Sequence, residues 1–145
     1  MKLKKRGGSS LHIGIVYSVE KKVIEKLAQE LKRGLEEQGH TVFMFSDNAD
    51  NFRGLAGCRY LFVGSYVTSA FKPHTPRRLN EALNKVPGFA GKKSIAFIPR
   101  SGMGERKALL ALMNDMERQG CFMIDQRSFS SEKEAFEFGR KISLK

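Results

Sequence analysis

The chain of 145 residues has a mass of 16.3 kDa, and 41% of its residues are hydrophobic and 28% charged. A chain of this length buries about 70% of the surface that its unfolded form exposes, so its core needs no disulfide or structural metal. It has no apolar run near the roughly 20 residues that cross a bilayer, and its beginning lacks the apolar stretch of a secretory signal. We therefore expect a cytoplasmic protein in which residues 1–10 form a mobile basic lead and residues 11–145 one domain.

Charge is the most unusual bulk property of the chain. The 26 Lys and Arg residues exceed the 15 Asp and Glu residues, which gives a formal net charge of +11. A field of this sign attracts acidic proteins, phosphorylated ligands, anionic membranes and nucleic acids. Cys58 and Cys121 each begin an apolar run, which indicates reduced core residues. His12, His40 and His74 are scattered and lack neighbouring ligands, so we do not expect a metal site.

The first half of the chain alternates apolar runs with a helical pattern. Three runs rich in β-branched and aromatic residues predict buried strands. These runs are Leu11–Tyr17, Thr41–Phe45 and Tyr60–Val63. Apolar residues recur at helical spacing over 23–35, and Gly39 is typical of a residue that ends a helix. The polar link 47–57 predicts only one or two helical turns.

The second half continues the same alternation. Two further strands are predicted at Ser94–Ile98 and Cys121–Ile124. A helix is expected to open at Thr75-Pro76, with the Thr75 hydroxyl as its cap and the proline in its first turn. Apolar spacing predicts another helix over 105–119, and the capping box of Ser131 and Glu134 predicts the start of the last one.

Strands that alternate with helices predict a parallel sheet, because each parallel pair needs a crossover that covers one face. Right-handed crossovers then place helices on both faces of the sheet, which makes a three-layer, doubly wound α/β domain. Ligands of such domains bind beyond the carboxyl ends of the strands. The informative segments are therefore the loops at 18–22, 47–53, 65–75, 99–105 and 126–131.

Three stretches next to the predicted strands are more specific. They read IVYS at 15–18, YLFVGSYV at 60–67 and FAGKKSIAF at 89–97. In these stretches the chain resembles the flavodoxin family, and the resemblance extends over nearly all of the chain from Leu11 onward. The resemblance implies a flavodoxin-like fold, a five-stranded sheet of order 2-1-3-4-5, and flavin mononucleotide (FMN) held without a covalent bond for electron transfer.

The same resemblance indicates where a cofactor would bind. The residues concerned are Ser18, Ser65, Tyr66, Val67, Thr68, Arg100, Ser101, Gly102, Met103 and Gly104. None of them is expected to be catalytic, because a flavin carries its own chemistry and the protein supplies orientation and electrostatics. The chain would be at most a redox carrier or a flavin-dependent oxidoreductase.

The loop after the first strand departs from the family pattern. FMN-binding members place a loop of the form T/S-x-T-G-N-T there, because its amides and hydroxyls wrap the phosphate at a helix N-terminus. In this chain Ser18 is followed by Val-Glu-Lys-Lys, without the glycine, asparagine or threonines. Glu20 also places a negative charge where the phosphate would lie, which Lys21 and Lys22 offset in part. The sequence therefore predicts weak or absent FMN binding.

Two other loops allow a binding interpretation and a structural one. Tyr66 is placed to stack on a ring system, yet an aromatic residue at a strand end also serves simply as packing. The loop 99–104 contains Gly102 and Gly104, whose backbone allows close approach to a ligand but equally makes a tight turn into a helix. Both interpretations stay open at this point.

Basic residues gather in the loops after the third and fourth strands, and we call this set the basic rim. It consists of Lys72, His74, Arg77, Arg78, Arg100, Arg106 and Lys107. Because such loops meet at one edge of a doubly wound sheet, we expect the rim to converge on one crevice and to bind an acidic partner or a phosphorylated ligand. The alternative is an ordinary solvated face of a protein that is basic throughout.

Two functions follow from these features of the sequence. One is an FMN-dependent electron-transfer protein, and the other is a cofactor-free binding or regulatory module for an acidic or phosphorylated partner. A phosphorelay receiver domain is disfavoured, because the first and third strands end in Ser18 and Ser65 where acidic residues are required. Nucleic-acid binding is a weaker third possibility, since Tyr66 and Phe71 lie near the rim without a recognised motif.

Overall fold

The computed structural model describes residues 10–144, so residues 1–9 of the predicted basic lead and Lys145 lie outside the described part of the chain. Five strands alternate with four helices. The strands are β1 (His12–Tyr17), β2 (Thr41–Ser46), β3 (Tyr60–Gly64), β4 (Lys93–Pro99) and β5 (Phe122–Phe129). The helices are α1 (Lys22–Glu37), α2 (Arg77–Lys85), α3 (Glu105–Arg118) and α4 (Glu132–Lys141). None of the described helices has the length and apolar character that crossing a membrane requires.

The strands form one parallel sheet in the order β2-β1-β3-β4-β5. The predicted doubly wound α/β architecture and its strand order are therefore confirmed. Strand β5 runs five residues beyond the predicted end at Ile124 and pairs with β4 as far as Phe129. Because β5 lies at the edge of the sheet, its second half tolerates polar residues, and an apolar run does not mark its end.

Successive side chains of each strand point to opposite faces of the sheet and belong to two hydrophobic layers. Ile15 of β1 belongs to the layer that α1 and α4 cover, whereas the next residue, Val16, belongs to the layer that α2 and α3 cover. Leu31 of α1 and Leu112 of α3 are completely buried in these two layers. The carboxyl ends of all five strands consequently lie along one edge of the sheet, between the helical layers.

Helices α1 and α4 touch where each carries a glycine. A Cβ atom on Gly34 would overlap the carbonyl oxygen of Phe136, and one on Gly139 would lie 2.6 Å from that of Leu31. The side-chain amide of Gln38 donates to the carbonyl oxygen of Gly139 at 2.7 Å. This close backbone contact leaves no space for a larger residue at either glycine.

Most predicted helix ends are confirmed, and one is wrong. Gly39 follows α1 with φ of 94°, and Ser131 Oγ accepts from the amide of Glu134 at 3.1 Å. Thr75 does not cap α2, because the N-cap residue is Pro76, with φ of −52° and ψ of 140°. Thr75 therefore lies too far before the first turn, and its buried hydroxyl has no hydrogen-bond partner among residues 10–144.

Candidate functional site

The loop between β1 and α1 is four residues long and is held tightly to the sheet. The amide of Ser18 donates to the carbonyl oxygen of Gly64 at 3.1 Å, and the Ser18 side chain is completely buried. Lys21 is the N-cap residue of α1, and its side chain makes no capping hydrogen bond. The short loop predicted after the first strand is thus present, without the hydroxyl cap that commonly begins a helix.

A carboxylate from the end of β2 occupies this loop. The amide of Asp47 donates to the carbonyl oxygen of Tyr17 at 2.8 Å, and Asp47 Oδ1 accepts from the amide of Val19 at 3.3 Å. The residue is only 6% exposed. Burial raises the pKa of Asp47, and the Val19 hydrogen bond and the charge of Arg78 offset that shift only in part. Within the described residues, Asp47 Oδ2 has no hydrogen-bond partner.

Tyr66 packs against the same loop. Its hydroxyl donates to Glu20 Oε1 at 2.6 Å, and Lys21 Nζ lies 5.1 Å from the centroid of its ring. Burial, together with the hydrogen bond to Glu20 and its charge, raises the pKa of Tyr66 to about 12. In this structure the polar end of Tyr66 is thus bound within the protein.

The loops after β3 and β4 touch each other. Gly104 has φ of 86°, and a Cβ atom there would lie 3.0 Å from the carbonyl oxygen of Ala70 and 3.1 Å from that of Ser69. Thr68 Oγ1 closes the β3 loop on itself, since it accepts from the amide of His74 at 3.0 Å and is 3.1 Å from the carbonyl oxygen of His74. Only glycine combines this backbone angle with such a close approach.

Glu105 holds the amides of the β4 loop. The amides of Ser101 and Gly102 donate to Glu105 Oε2 at 2.5 and 2.7 Å. Desolvation raises the pKa of Glu105, but these two hydrogen bonds and the charge of Arg100 outweigh it, so that the pKa is lowered. The amides that the sequence offered to an anion are therefore bound by a carboxylate of the chain itself.

The basic rim is distributed over separate depressions. Arg106 and Lys107 line one of about 480 Å³ beside Phe71 and Met103. Arg78 lines a groove of about 580 Å³ that includes Asp47. Among the described residues the expected single crevice is not seen, because Arg78, Arg100 and the pair of Arg106 and Lys107 line three different depressions.

The remaining rim residues show the same separation. Arg100 lines a groove of about 610 Å³ with Arg127 and Phe138, on the face that α4 covers. Arg77 forms an ion pair with Glu81 at 3.2 Å on the surface of α2. Such an exposed pair contributes little to stability and leaves most of the arginine accessible to a partner.

The structure brings some of the predicted site residues together and adds others. Val67 lies beside Gly104, where an added Cβ atom would be 3.0 Å from Val67 Cγ1. Ser65 is buried, and its amide donates to the carbonyl oxygen of Phe97 at 3.0 Å. The sequence analysis missed Asp47 and Glu105 as acceptors for loop amides. Their only signal in the sequence is an acidic residue within six positions of a strand end, and many surface acids share it.

The comparisons with known proteins concern the fold. No model of a protein family matches the chain, and no curated protein sequence matches it. Flavodoxin 1 of Bacillus cereus superposes with a TM-score of 0.65 at 12% identity, over 91% of this chain and 99% of that one. A short-chain flavodoxin associated with a non-canonical PDU bacterial microcompartment gives 0.69 at 12% identity, over 89% and 94%.

A third solved structure is similar in the same way. The two-electron-reduced flavodoxin of Megasphaera elsdenii gives a TM-score of 0.68 at 20% identity, over 88% of this chain and 96% of that one. At these identities the likeness concerns the arrangement of the backbone. The chain has a flavodoxin-like fold.

Proposed function

We propose that this chain is a flavodoxin-like binding module that docks an acidic or phosphorylated partner at its basic rim and does not retain FMN. One observation carries the proposal: carboxylates of the chain already accept the amides at its strand ends. Asp47 binds the amide of Val19, and Glu105 binds those of Ser101 and Gly102. An anionic ligand would have to displace these internal carboxylates before it could use the same donors.

The residues of the first loop do not fit the phosphate of FMN. Glu20 accepts from the hydroxyl of Tyr66, and the buried Asp47 accepts from the amide of Val19 in the loop. Both side chains bring an oxygen acceptor to a place where a phosphate needs donors, and an ionised carboxylate repels a phosphate. A flat ring between the loops after β3 and β4 would also have to separate Gly104 from Ala70. The fold is retained while the chemistry of its usual ligand site has changed.

The rim itself supports an acidic partner. Arg78, Arg100 and Arg106 are exposed at the carboxyl edge of the sheet. The nearby carboxylate of Glu105 accepts hydrogen bonds from the amides of Ser101 and Gly102. Cations in this position attract and orient an anionic surface even where each individual contact is weak.

Flavin binding tests the first half of the proposal. We expect colourless purified protein and no saturable quenching of FMN fluorescence at micromolar protein. Losing three charge-assisted hydrogen bonds to a phosphate weakens binding on the order of 10³-fold or more. A yellow preparation with stoichiometric FMN and sub-micromolar affinity would refute the proposal. It would favour instead the FMN-dependent electron carrier that the fold suggests.

A charge-matched comparison tests the second half. The rim variant carries Arg78→Ser, Arg100→Ser and Arg106→Ser, and the control carries Lys26→Ser, Arg59→Ser and Lys133→Ser, at exposed positions on α1, just before β3 and on α4. We expect the rim variant to bind fluorescent poly-L-glutamate about tenfold more weakly, a change of about 1.4 kcal/mol, and with a flatter salt dependence. Equal losses in both variants would mean that only net charge matters.

A further inference from the structure

Two large apolar side chains stand in solvent next to the cations of α3. Phe71 is 75% exposed and Met103 is 66% exposed. Both line the depression of about 480 Å³ that Arg106 and Lys107 also line. Aromatic residues and methionine are enriched at protein interfaces, and exposed apolar patches often mark interaction sites.

The backbone that presents these side chains is fixed by local contacts. Lys107 Nζ donates to the carbonyl oxygen of Phe71 at 3.4 Å, and the amide of Lys72 donates to Ser69 Oγ at 3.4 Å. Gly104 packs on the same loop from the other side. These contacts position the backbone of the surface before a partner binds. Binding then loses less free energy to the ordering of this loop.

The charge around the apolar pair is positive. Lys72, Arg106 and Lys107 are all exposed, and the carboxylate next to them, Glu105, is bound to the amides of Ser101 and Gly102. A complementary partner has to be acidic where it meets these cations. It also has to be apolar where it covers Phe71 and Met103.

A second apolar contact lies one helical turn further along α3. Leu110 is 57% exposed and lines a depression of about 320 Å³ together with Gln126 of β5. Arg106 and Lys107 line this depression as well. The two cations thus stand between an apolar contact at Phe71 and Met103 and another at Leu110, about one turn apart.

We infer that the surface formed by Phe71, Met103, Arg106, Lys107 and Leu110 docks an acidic segment of a partner protein that carries apolar side chains at both ends. The partner's carboxylates pair with Arg106 and Lys107, and its apolar side chains cover the two flanking contacts. This inference rests on the proposed function and narrows the partner to one class. A free phosphate would satisfy the cations but leave both apolar contacts in water.

Selection from a random peptide library tests the inference without a ligand chosen in advance. The full chain is immobilised and challenged with displayed random 16-residue peptides, and an enriched peptide is measured by fluorescence anisotropy. We expect enriched peptides to combine Asp or Glu with apolar residues. We expect Phe71→Ser combined with Met103→Ser to weaken the measured peptide about tenfold or more, as for the anchor residues of an interface.

The matched control removes two exposed apolar side chains elsewhere. Val23→Ser with Phe122→Ser acts on side chains that are exposed on α1 and on β5, and we expect it to leave peptide affinity within about twofold. Unchanged melting temperatures show that each variant is folded. An effect of similar size in both double variants would overturn the inference, because general hydrophobicity would then explain the binding.

Other outcomes separate this inference from the function on which it rests. Enriched peptides without acidic bias, no enrichment at all, or tighter binding of a 16-nucleotide single-stranded DNA would each overturn the inference. If poly-L-glutamate still distinguishes the rim variant from its control in that case, the proposed binding of an anionic partner stands and only the partner class is wrong. If poly-L-glutamate binds the rim variant and its control equally well, both the inference and the proposed binding of an anionic partner are wrong.

Discussion

At the ends of β1 and β2, two carboxylates accept hydrogen bonds from the chain itself: the buried Asp47 accepts from the amide of Val19, and the exposed Glu20 accepts from the hydroxyl of Tyr66. At the ends of β3 and β4, Glu105 also satisfies backbone amides, but Phe71 and Met103 next to it remain in solvent. We call these the closed half and the open half of the carboxyl edge. The two halves share one sheet and differ in what they leave exposed.

The difference lies in the side chains that surround the hydrogen-bonded loop amides. Internal carboxylates satisfy loop amides in both halves, so these amides have hydrogen-bond partners within the chain. In the open half, however, apolar and cationic side chains project beyond the satisfied backbone. The proposed docking surface therefore lies in the open half.

The largest expected change in the free energy of unfolding comes from disturbing the contact between the two loops of the open half. Gly104 and Gly102 both have positive φ, but only a Cβ atom at Gly104 would meet neighbouring atoms within 4 Å. Both Gly→Ala variants lose about 1–2 kcal/mol to the left-handed conformation. Gly104→Ala should lose about 1–3 kcal/mol more to overpacking. Urea unfolding measures both variants, and equal midpoints would mean that the two loops are not in contact.

Replacing Glu105 should give the next largest change in the free energy of unfolding. Glu105→Gln should lower the free energy of unfolding at pH 7 by about 1 kcal/mol, because an ionised acceptor is replaced by a neutral one at an exposed site. Since the pKa of Glu105 is lowered in the folded protein, its stabilisation is present above the unfolded value near 4.5. The stabilisation is lost as the pH falls through the folded value. Denaturant melts from pH 3.5 to 7 should therefore show the two proteins converging in acid.

Asp47 in the closed half should show the opposite pH dependence. Its pKa is raised by burial, so the folded state binds more protons, and the stability of the parent protein falls as the pH rises from 3.8 through the raised value. Asp47→Asn keeps an acceptor for Val19 and removes this dependence. We expect a higher melting temperature than the parent at pH 7 and no advantage near pH 3.8. A lower melting temperature at pH 7 would contradict the assignment.

The smallest expected loss of stability comes from removing the hydrogen bond between Tyr66 and Glu20. Tyr66→Phe removes the 2.6 Å hydrogen bond at the surface of the closed half, and we expect a loss of about 0.5 kcal/mol. The double-mutant cycle with Glu20→Gln isolates the pair, and the coupling energy should be of similar size. Additive effects of the two substitutions would mean that the closed half is not held by this contact.

Local patterns in the sequence were sufficient for much of the fold. The apolar runs predicted every strand, and the spacing of apolar residues predicted the helices, because burial on one face imposes a period of 2 or 3.6 residues on neighbouring positions. The capping box at Ser131 and the helix-ending Gly39 were predicted for the same local reason. The strand order came from a resemblance carried by three short stretches around residues 15–18, 60–67 and 89–97.

The state of the carboxyl edge was decided by contacts between residues far apart in the chain. Asp47 reaches an amide 28 positions earlier, and Tyr66 reaches a carboxylate 46 positions earlier. No periodicity encodes such pairs, because they exist only once β1 lies between β2 and β3. The sequence by itself determined that the first loop lacks a phosphate cradle. Only the tertiary structure decided which of the chain's own carboxylates would bind the loop amides, and which apolar side chains would stay in water beside the cations.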